Sequence, residues 1–390
     1  MTSSLDADLL QRLEVLEAAG LRRVRRPMDS PTGREVVVAG RRLIQFASND
    51  YLGLATHPAV VEAAAQAARD FGAGSGASRL LGGSLRLHHV LEEALADWKG
   101  TGAALTFSSG YAAALGVIPA LVSAQDVIML DRRVHACCVD AARMSGAALR
   151  VFRHNDPDHL DSLLRWARRR PGTHRILIVT ESVFSMDGDR APLEALVRLK
   201  EQHGAWLMLD EAHAAGLLGD RRSGLSEACG VSGNVEIHFG TLGKALGAAG
   251  GYVCGSRTLV DHLVNRARSL IFSTAPVPAA AGAAREALRV VQSTGGRERC
   301  ETLWNRQRDL IERCPGLSSS SAIVPVPAGD ERLATSWSEN LLAEGLAVPA
   351  IRYPTVGRRQ ARLRVSLTAS HQPSDIHRLA TALNLLRSPV

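Results

Sequence analysis

The chain has 390 residues, 46% hydrophobic and 22% charged, with a formal net charge of +7, which describes a soluble globular protein of two or three domains. Its basic residues are scattered and aromatics make up only 4%, which excludes an interleaved basic and aromatic platform for nucleic acid and favours a polyanionic small substrate or an acidic carrier protein. Six cysteines form no CxxC pair and no dense framework, so they are read as reduced thiols, and no apolar run approaches the ~18 to 20 residues of a membrane span.

The first segment, MTSSLDADLLQRLEVLEAAG, alternates acids with leucines at helical spacing. It lacks the charged start and apolar core of a signal peptide, so a helix and a cytoplasmic address are expected. The basic stretch LRRVRRPMDS reads as a solvated arm, and REVVVAGRRLIQFASNDYLGL suits short strands that end in a loop around Asn49. A helix near 58–71 leads to FGAGSGASRLLGGS, which lacks the strand–helix unit of a dinucleotide loop and reads as a flexible loop near a substrate channel. A helix near 86–98, strand AALTF, a helix from Gly110, strand DVIML and a helix from about His135 follow. Strands RILIVTE, AWLMLDE and VEIHFG come next, separated by helices. This alternation predicts an α/β fold with a mostly parallel sheet covered on both faces and reactive groups at the carboxyl ends of its strands. An alanine-rich helix near 277–294 should carry the chain into a smaller α+β C-terminal domain. That domain holds AIVPVPAG, a helix near 332–345, LAVPAIRYPTV, strand RLRVSLTA and a helix near 373–387. The expected division is an N-terminal helix and arm over 1–45, a large domain over 46–280 and a small one over 281–390.

Two of these elements carry chemistry together. Lys244 lies among small residues in IHFGTLGKALG, where a primary amine has room to hold a flat aldehyde cofactor as a Schiff base. Asp210 ends AWLMLDEAH, and a carboxylate at such a place can keep a pyridinium nitrogen protonated, so that the ring accepts carbanion electrons. The pair reads as a site for pyridoxal 5'-phosphate. Ser109, Gly110 and Tyr111 open a helix in TFSSGYAAAL, where backbone N–H groups and the helix dipole suit a phosphate and Tyr111 is a candidate stacking neighbour. His135 opens the next helix and can stack over a pyridine ring. Ser185 and His213 are candidate donors to the ring oxygen, and Thr241 is a candidate phosphate contact, with Ser273 and Thr274 weaker ones. Substrate carboxylate needs a guanidinium, and RLRVSLTASH offers Arg362 and Arg364 on one strand face. Cys137 and Cys138 follow His135, but adjacent cysteines on a helix point apart and are read as small buried hydrophobes rather than metal ligands.

The motifs FASNDYLGL, FGAGSGASRLLGG, HNDPDHL, ESVFSMDGDRAPL, LDEAHAAGLLG, TLGKALG, FSTAPVP and AIRYPTVGRRQARLRVSLTASH together resemble the α-oxoamine synthases, and the resemblance covers nearly the whole chain. It implies a type I aminotransferase fold and a homodimer with sites at the subunit interface. It also implies decarboxylative condensation of an amino acid with an acyl thioester: L-alanine with a pimeloyl group, carried on coenzyme A or an acyl carrier protein, in the biotin branch that it matches best. In that reading Lys244 is the Schiff-base lysine, Asp210 the pyridinium partner, His213 and Ser185 the ring-oxygen contacts, and His135 the stacking group. Thr274 reaches a phosphate from the neighbouring subunit, Arg364 and Asn49 hold the substrate carboxylate, and Arg22 approaches the acyl chain. Ala114 stands where the family often has Asn, and Tyr252 is shared with glycine-using members, so glycine C-acetyltransferase is the alternative within the family. A catalytically silent cofactor-binding regulatory subunit is the alternative of another class.

Overall fold

The computed structural model describes residues 3–387. The chain divides into two compact units: one comprises Asn49–Ser185 and Asp189–Thr302, and the other joins the N-terminal residues up to Ser48, the short piece Met186–Gly188 and the C-terminal residues from Leu303.

The first unit is built on a seven-stranded sheet. From one edge to the other its strands are Ala103–Phe107, Gly251–Gly255, Ile237–Thr241, Trp206–Asp210, Ile176–Glu181, Val127–Asp131 and Ala148–Phe152. All neighbours are parallel except where Gly251–Gly255 runs antiparallel to both of its partners. Continuous apolar runs mark strands buried on both faces, and their alternation sorts side chains between two clusters. Ile128, Leu130, Leu177, Val179 and Met208 pack on one face, while Val127, Met129, Ile176, Ile178, Leu207 and Leu209 pack on the other. The parallel strands end on Asp131, Glu181, Asp210 and Thr241, so polar groups collect at one edge of an apolar slab.

In the second unit, Ala361–Ser366 is the middle strand of an antiparallel sheet with Ile323–Gly329 and Ala350–Ile351. A second small sheet contains Glu35–Val38, Arg41–Gln45 and Leu346–Ala347. Arg34 ties the N-terminal segment to the last helix through a bidentate pair with Asp375, at 2.6 and 2.7 Å. Two features were not anticipated from sequence. The Gly251–Gly255 strand carries two glycines and no long apolar run, and the Thr294–Arg313 helix is too polar and glycine-rich at its start to declare itself. Among the described residues no helix is long and apolar enough to cross a membrane.

Candidate active site

Asp210 and Glu181 are directly opposed in the register of two parallel strands, and both are almost fully buried. Burial raises the pKa of each carboxyl; the Asp210 charge raises that of Glu181 further, whereas Lys244 lowers that of Asp210. The arrangement therefore favours one charge on the pair, with Glu181 the more readily protonated member. Asp210 Oδ1 accepts the Ala212 N–H at 2.8 Å, and Glu181 Oε2 accepts the Ser185 N–H at 3.2 Å.

The turn after the Asp210 strand brings His213 to Lys244, with Nε2 2.7 Å from Nζ. On the other side of the ring, Nδ1 lies 2.6 Å from the Tyr51 oxygen. Tyr51 in turn donates to Asn49 Oδ1 at 3.2 Å. A polar chain thus runs Lys244–His213–Tyr51–Asn49. It depends on the docking of two turns. Asp50 organises the first by accepting the N–H groups of Leu54 and Ala55 at 2.8 and 3.1 Å. Gly247 ends the Lys244 turn at φ +59°, where an added Cβ would sit 2.3 Å from Ala55 N, so both the conformation and the close approach require glycine.

Ser109 caps the Gly110–Leu121 helix, its hydroxyl accepting the Ala112 N–H at 3.0 Å. A Cβ on Gly110 would lie 3.7 Å from Thr241 Cβ, so this helix start and the strand end carrying Thr241 meet. Thr241 Oγ1 donates to Gly250 O at 2.9 Å and accepts the Gly243 N–H at 3.2 Å. Tyr111 is half-exposed and donates its hydroxyl to Asp140, on the helix that His135 caps. His135 Nδ1 lies 3.0 Å from Cys137 Sγ, and this contact, against the opposing effect of burial, raises the imidazole pKa. Cys137 and Cys138 are themselves buried in the apolar cluster beneath the sheet.

Behind Asp210, the next residue points the other way. Glu211 is buried in an ion pair with Lys99, Nζ to Oε2 2.6 Å, with His238 Nδ1 3.5 Å away. Burial would raise this carboxyl, but Lys99 and His238 overcome it and hold Glu211 well below the usual carboxylate range. Tyr252 is fully buried on the same side, its ring against Gly240 and near Lys99. It is therefore a core residue, and so is Ala114 in the apolar cluster.

Thr274, Arg22 and Arg364 are the remaining candidates. Thr274 is exposed and forms an isolated bridge with Ser78, so FSTAP pairs with the glycine-rich loop. Arg22 is exposed beside Glu17 at 3.3 Å, and Arg364 is buried, donating to Ser366 Oγ at 2.7 Å; both belong to the second compact unit. In that unit Arg362 is held by Asp187 and Met186 O, a difference between the two arginines that strand periodicity does not reveal. Sequence reasoning had left Tyr51 and Glu181 without a role. Tyr51 sits in the quoted FASNDYLGL motif but meets His213 only through folding. Glu181 was legible as a strand-end acid, the same signal that singled out Asp210.

The residues fit pyridoxal 5'-phosphate. Lys244 presents a part-buried amine, a carboxylate stands at the neighbouring strand end, and a helix start meets Thr241. Glu181 Oε1 is buried with no hydrogen-bond partner, a costly arrangement that a bound polar group relieves.

A parallel-sheet domain with a lysine turn opposite a strand-end aspartate, joined to a smaller unit of antiparallel strands, defines the type I aminotransferase fold. Comparison with known proteins agrees: the aminotransferase class I and II family profile matches residues 41–383. An 8-amino-7-oxononanoate synthase of Geobacter sulfurreducens is 45% identical over 98% of this chain and 97% of its own, and one from Anaeromyxobacter dehalogenans is 47% identical over 95% and 93%. Among solved structures, serine palmitoyltransferase of Sphingomonas wittichii superposes with a TM-score of 0.91 at 31% identity, covering 99% of this chain and 98% of that one. An 8-amino-7-oxononanoate synthase of Francisella tularensis gives 0.74 at 26% identity, over 88% and 97%. The chain belongs to the aminotransferase class I and II family, in its α-oxoamine synthase branch.

Proposed function

We propose that this protein condenses L-alanine with a pimeloyl thioester, with release of carbon dioxide and the free thiol carrier, to form 8-amino-7-oxononanoate in biotin synthesis. The observation that carries the reading is the Lys244–His213–Tyr51–Asn49 chain beside the Asp210 carboxylate, in a sequence related over its full length to 8-amino-7-oxononanoate synthases. Pyridoxal 5'-phosphate, when bound, supplies the electron sink for the pair left on alanine Cα. Lys244 Nζ removes the Cα proton and later returns one to the product carbon. His213 Nε2, 2.7 Å away, orients that amine. Asp210 keeps the ring nitrogen protonated, and Glu181, the neutral member of the pair, does not compete with it as a second anion. His213 and Ser185 would hold the ring oxygen of the bound cofactor, His135 would stack on its ring, and Ser109, Gly110, Tyr111 and Thr241 would hold its phosphate. The assembly is a cytoplasmic homodimer in which Thr274 serves the neighbouring subunit's site. The acyl group arrives on coenzyme A or an acyl carrier protein, with Arg22 near its chain.

Arg364, with Asn49, receives the alanine carboxylate; Arg362 is already paired to Asp187. Arg364→Leu is expected to weaken alanine binding by roughly 1.5–3 kcal/mol, as for a lost hydrogen bond to a charged group. Alanine titrations followed by cofactor absorbance check this, and a larger loss from Arg362→Leu would reverse the assignment.

Substrate choice is tested by kcat/KM for pimeloyl, acetyl, succinyl and palmitoyl thioesters with alanine, glycine and serine, with products identified by mass. Glycine should bind yet turn over less well than alanine, since one methyl group supplies only about 1–3 kcal/mol of discrimination. Acyl selection should be firmer, because a site shaped for the polar end of a pimeloyl chain leaves groups unpaired with shorter acyl groups. Acetyl thioester with glycine as the best pair would replace this reading with glycine C-acetyltransfer.

A further inference from the structure

His154 takes no part in the chemistry above, yet its ring is held on both nitrogens. It follows the edge strand Ala148–Phe152, with Nδ1 2.9 Å from Asp131 Oδ1 and Nε2 2.7 Å from Asp189 Oδ2. Carboxylates only accept, so both nitrogens carry hydrogen and the ring is a cation. Asn155 repeats the bridge: its backbone N–H donates to Asp131 Oδ2 at 2.9 Å and its Nδ2 to Asp189 Oδ2 at 3.0 Å. The bridge uses φ +51° at Asn155, a conformation asparagine tolerates better than most residues. Phe184 closes the flank of the imidazole edge-on, with ring centroids 4.4 Å apart.

Each carboxylate anchors a turn that leads to a site residue. Asp131 ends its strand and shapes the path to His135, accepting the Arg133 N–H on Oδ1 at 2.8 Å and the Val134 N–H on its backbone oxygen at 3.2 Å. Asp189 closes the turn that carries Ser185: its backbone oxygen accepts the Phe184 N–H at 3.0 Å, and Val183 bridges to Arg190. We propose that His154 is a positioning residue whose imidazolium bolts the His135 turn to the Ser185 turn, setting the spacing between the group over the cofactor ring and the group at its oxygen. The proposal rests on the cofactor reading given above.

The charged groups facing the clamp are Asp131 from its strand, Asp189 from its turn, and Arg133, which acts on Asp189. Burial alone would lower the imidazole pKa, but the two carboxylates raise it to about 9. A raised pKa makes the clamp complete below the ordinary histidine value of roughly 6.5 and loses it as pH rises through about 9.

The test uses holoenzyme and three variants: His154→Gln, Asp189→Asn and the two combined. The readouts are visible circular dichroism of the bound cofactor, the dissociation constant of pyridoxal 5'-phosphate as a function of pH, and thermal melting. For His154→Gln the dissociation constant should rise about tenfold, as for a lost charged hydrogen bond, with a changed visible dichroic band. The parent should bind more weakly as pH rises through about 9, and this alkaline weakening should be lost in the variant. Adding Asp189→Asn, which removes one of the two facing anions, should restore the band at least in part. Asp189→Asn alone keeps the His154–Asp131 pair, so it supplies the same readout should the first variant not fold, with a smaller shift in the same direction. Affinity within about twofold and an unchanged band in both single variants, even with a lowered melting temperature, would reduce His154 to a structural residue and overturn the proposal. Failure of the underlying cofactor reading is separately visible, because the parent itself would then not bind pyridoxal 5'-phosphate at Lys244.

Discussion

Replacing Lys244 by alanine is expected to abolish covalent attachment of pyridoxal 5'-phosphate and to lower turnover by on the order of 10³-fold or more. The amine serves twice, as the point of attachment and as the base at Cα, and positioned general base catalysis alone is worth about 10²–10⁴-fold. The geometry makes the site specific: Nζ is held 2.7 Å from His213 Nε2, in a turn locked by the close approach of Gly247 to Ala55. Borohydride reduction and peptide mapping provide the measurement. Label on Lys244 in the parent and none in Lys244→Ala is the expected result; label on another lysine in the parent would move the site.

Asp210→Asn is expected to slow solvent exchange of the alanine Cα hydrogen by about 10²-fold or more, the scale of losing one preorganised electrostatic partner of a developing charge. The substitution preserves shape and removes the anion that would hold the ring nitrogen protonated. With the Asp210 charge gone, burial remains to favour the neutral form of Glu181. Exchange in the variant at the parent rate would remove Asp210 from this role. Binding of alanine should change far less than exchange, which separates loss of the electron sink from general damage to the site.

The two experiments concern residues that were readable in one dimension. Asp210 and Lys244 stood out because a continuous apolar run breaks on an acid and a lysine is set among small residues; each signal is local, since burial on both faces of a parallel sheet dictates the run and chain reversal dictates the small residues. The same periodicity marked the Gly110 and His135 helix starts and most strands of the large sheet. The Gly251–Gly255 strand escaped because its two glycines leave no long apolar run, and its place in the sheet comes from pairing with the Ala103–Phe107 and Ile237–Thr241 strands. The polar Thr294–Arg313 helix escaped because its apolar stripe is weak.

By itself, then, the sequence determined the α/β class, the sheet's apolar interior, the strand-end acid and the lysine turn, all of which follow from short-range pattern and backbone geometry. Only the tertiary structure decided which side chains meet. It brought Tyr51 to His213 across the docked turns, set Glu181 beside Asp210 through strand register, and separated Arg362 from Arg364 by pairing the former with Asp187. It also placed His154 between Asp131 and Asp189. These contacts join residues distant in the chain, and hydrogen bonds and ion pairs depend on separations of a few tenths of an ångström, a precision that spacing along a sequence does not carry and that packing of the whole fold supplies.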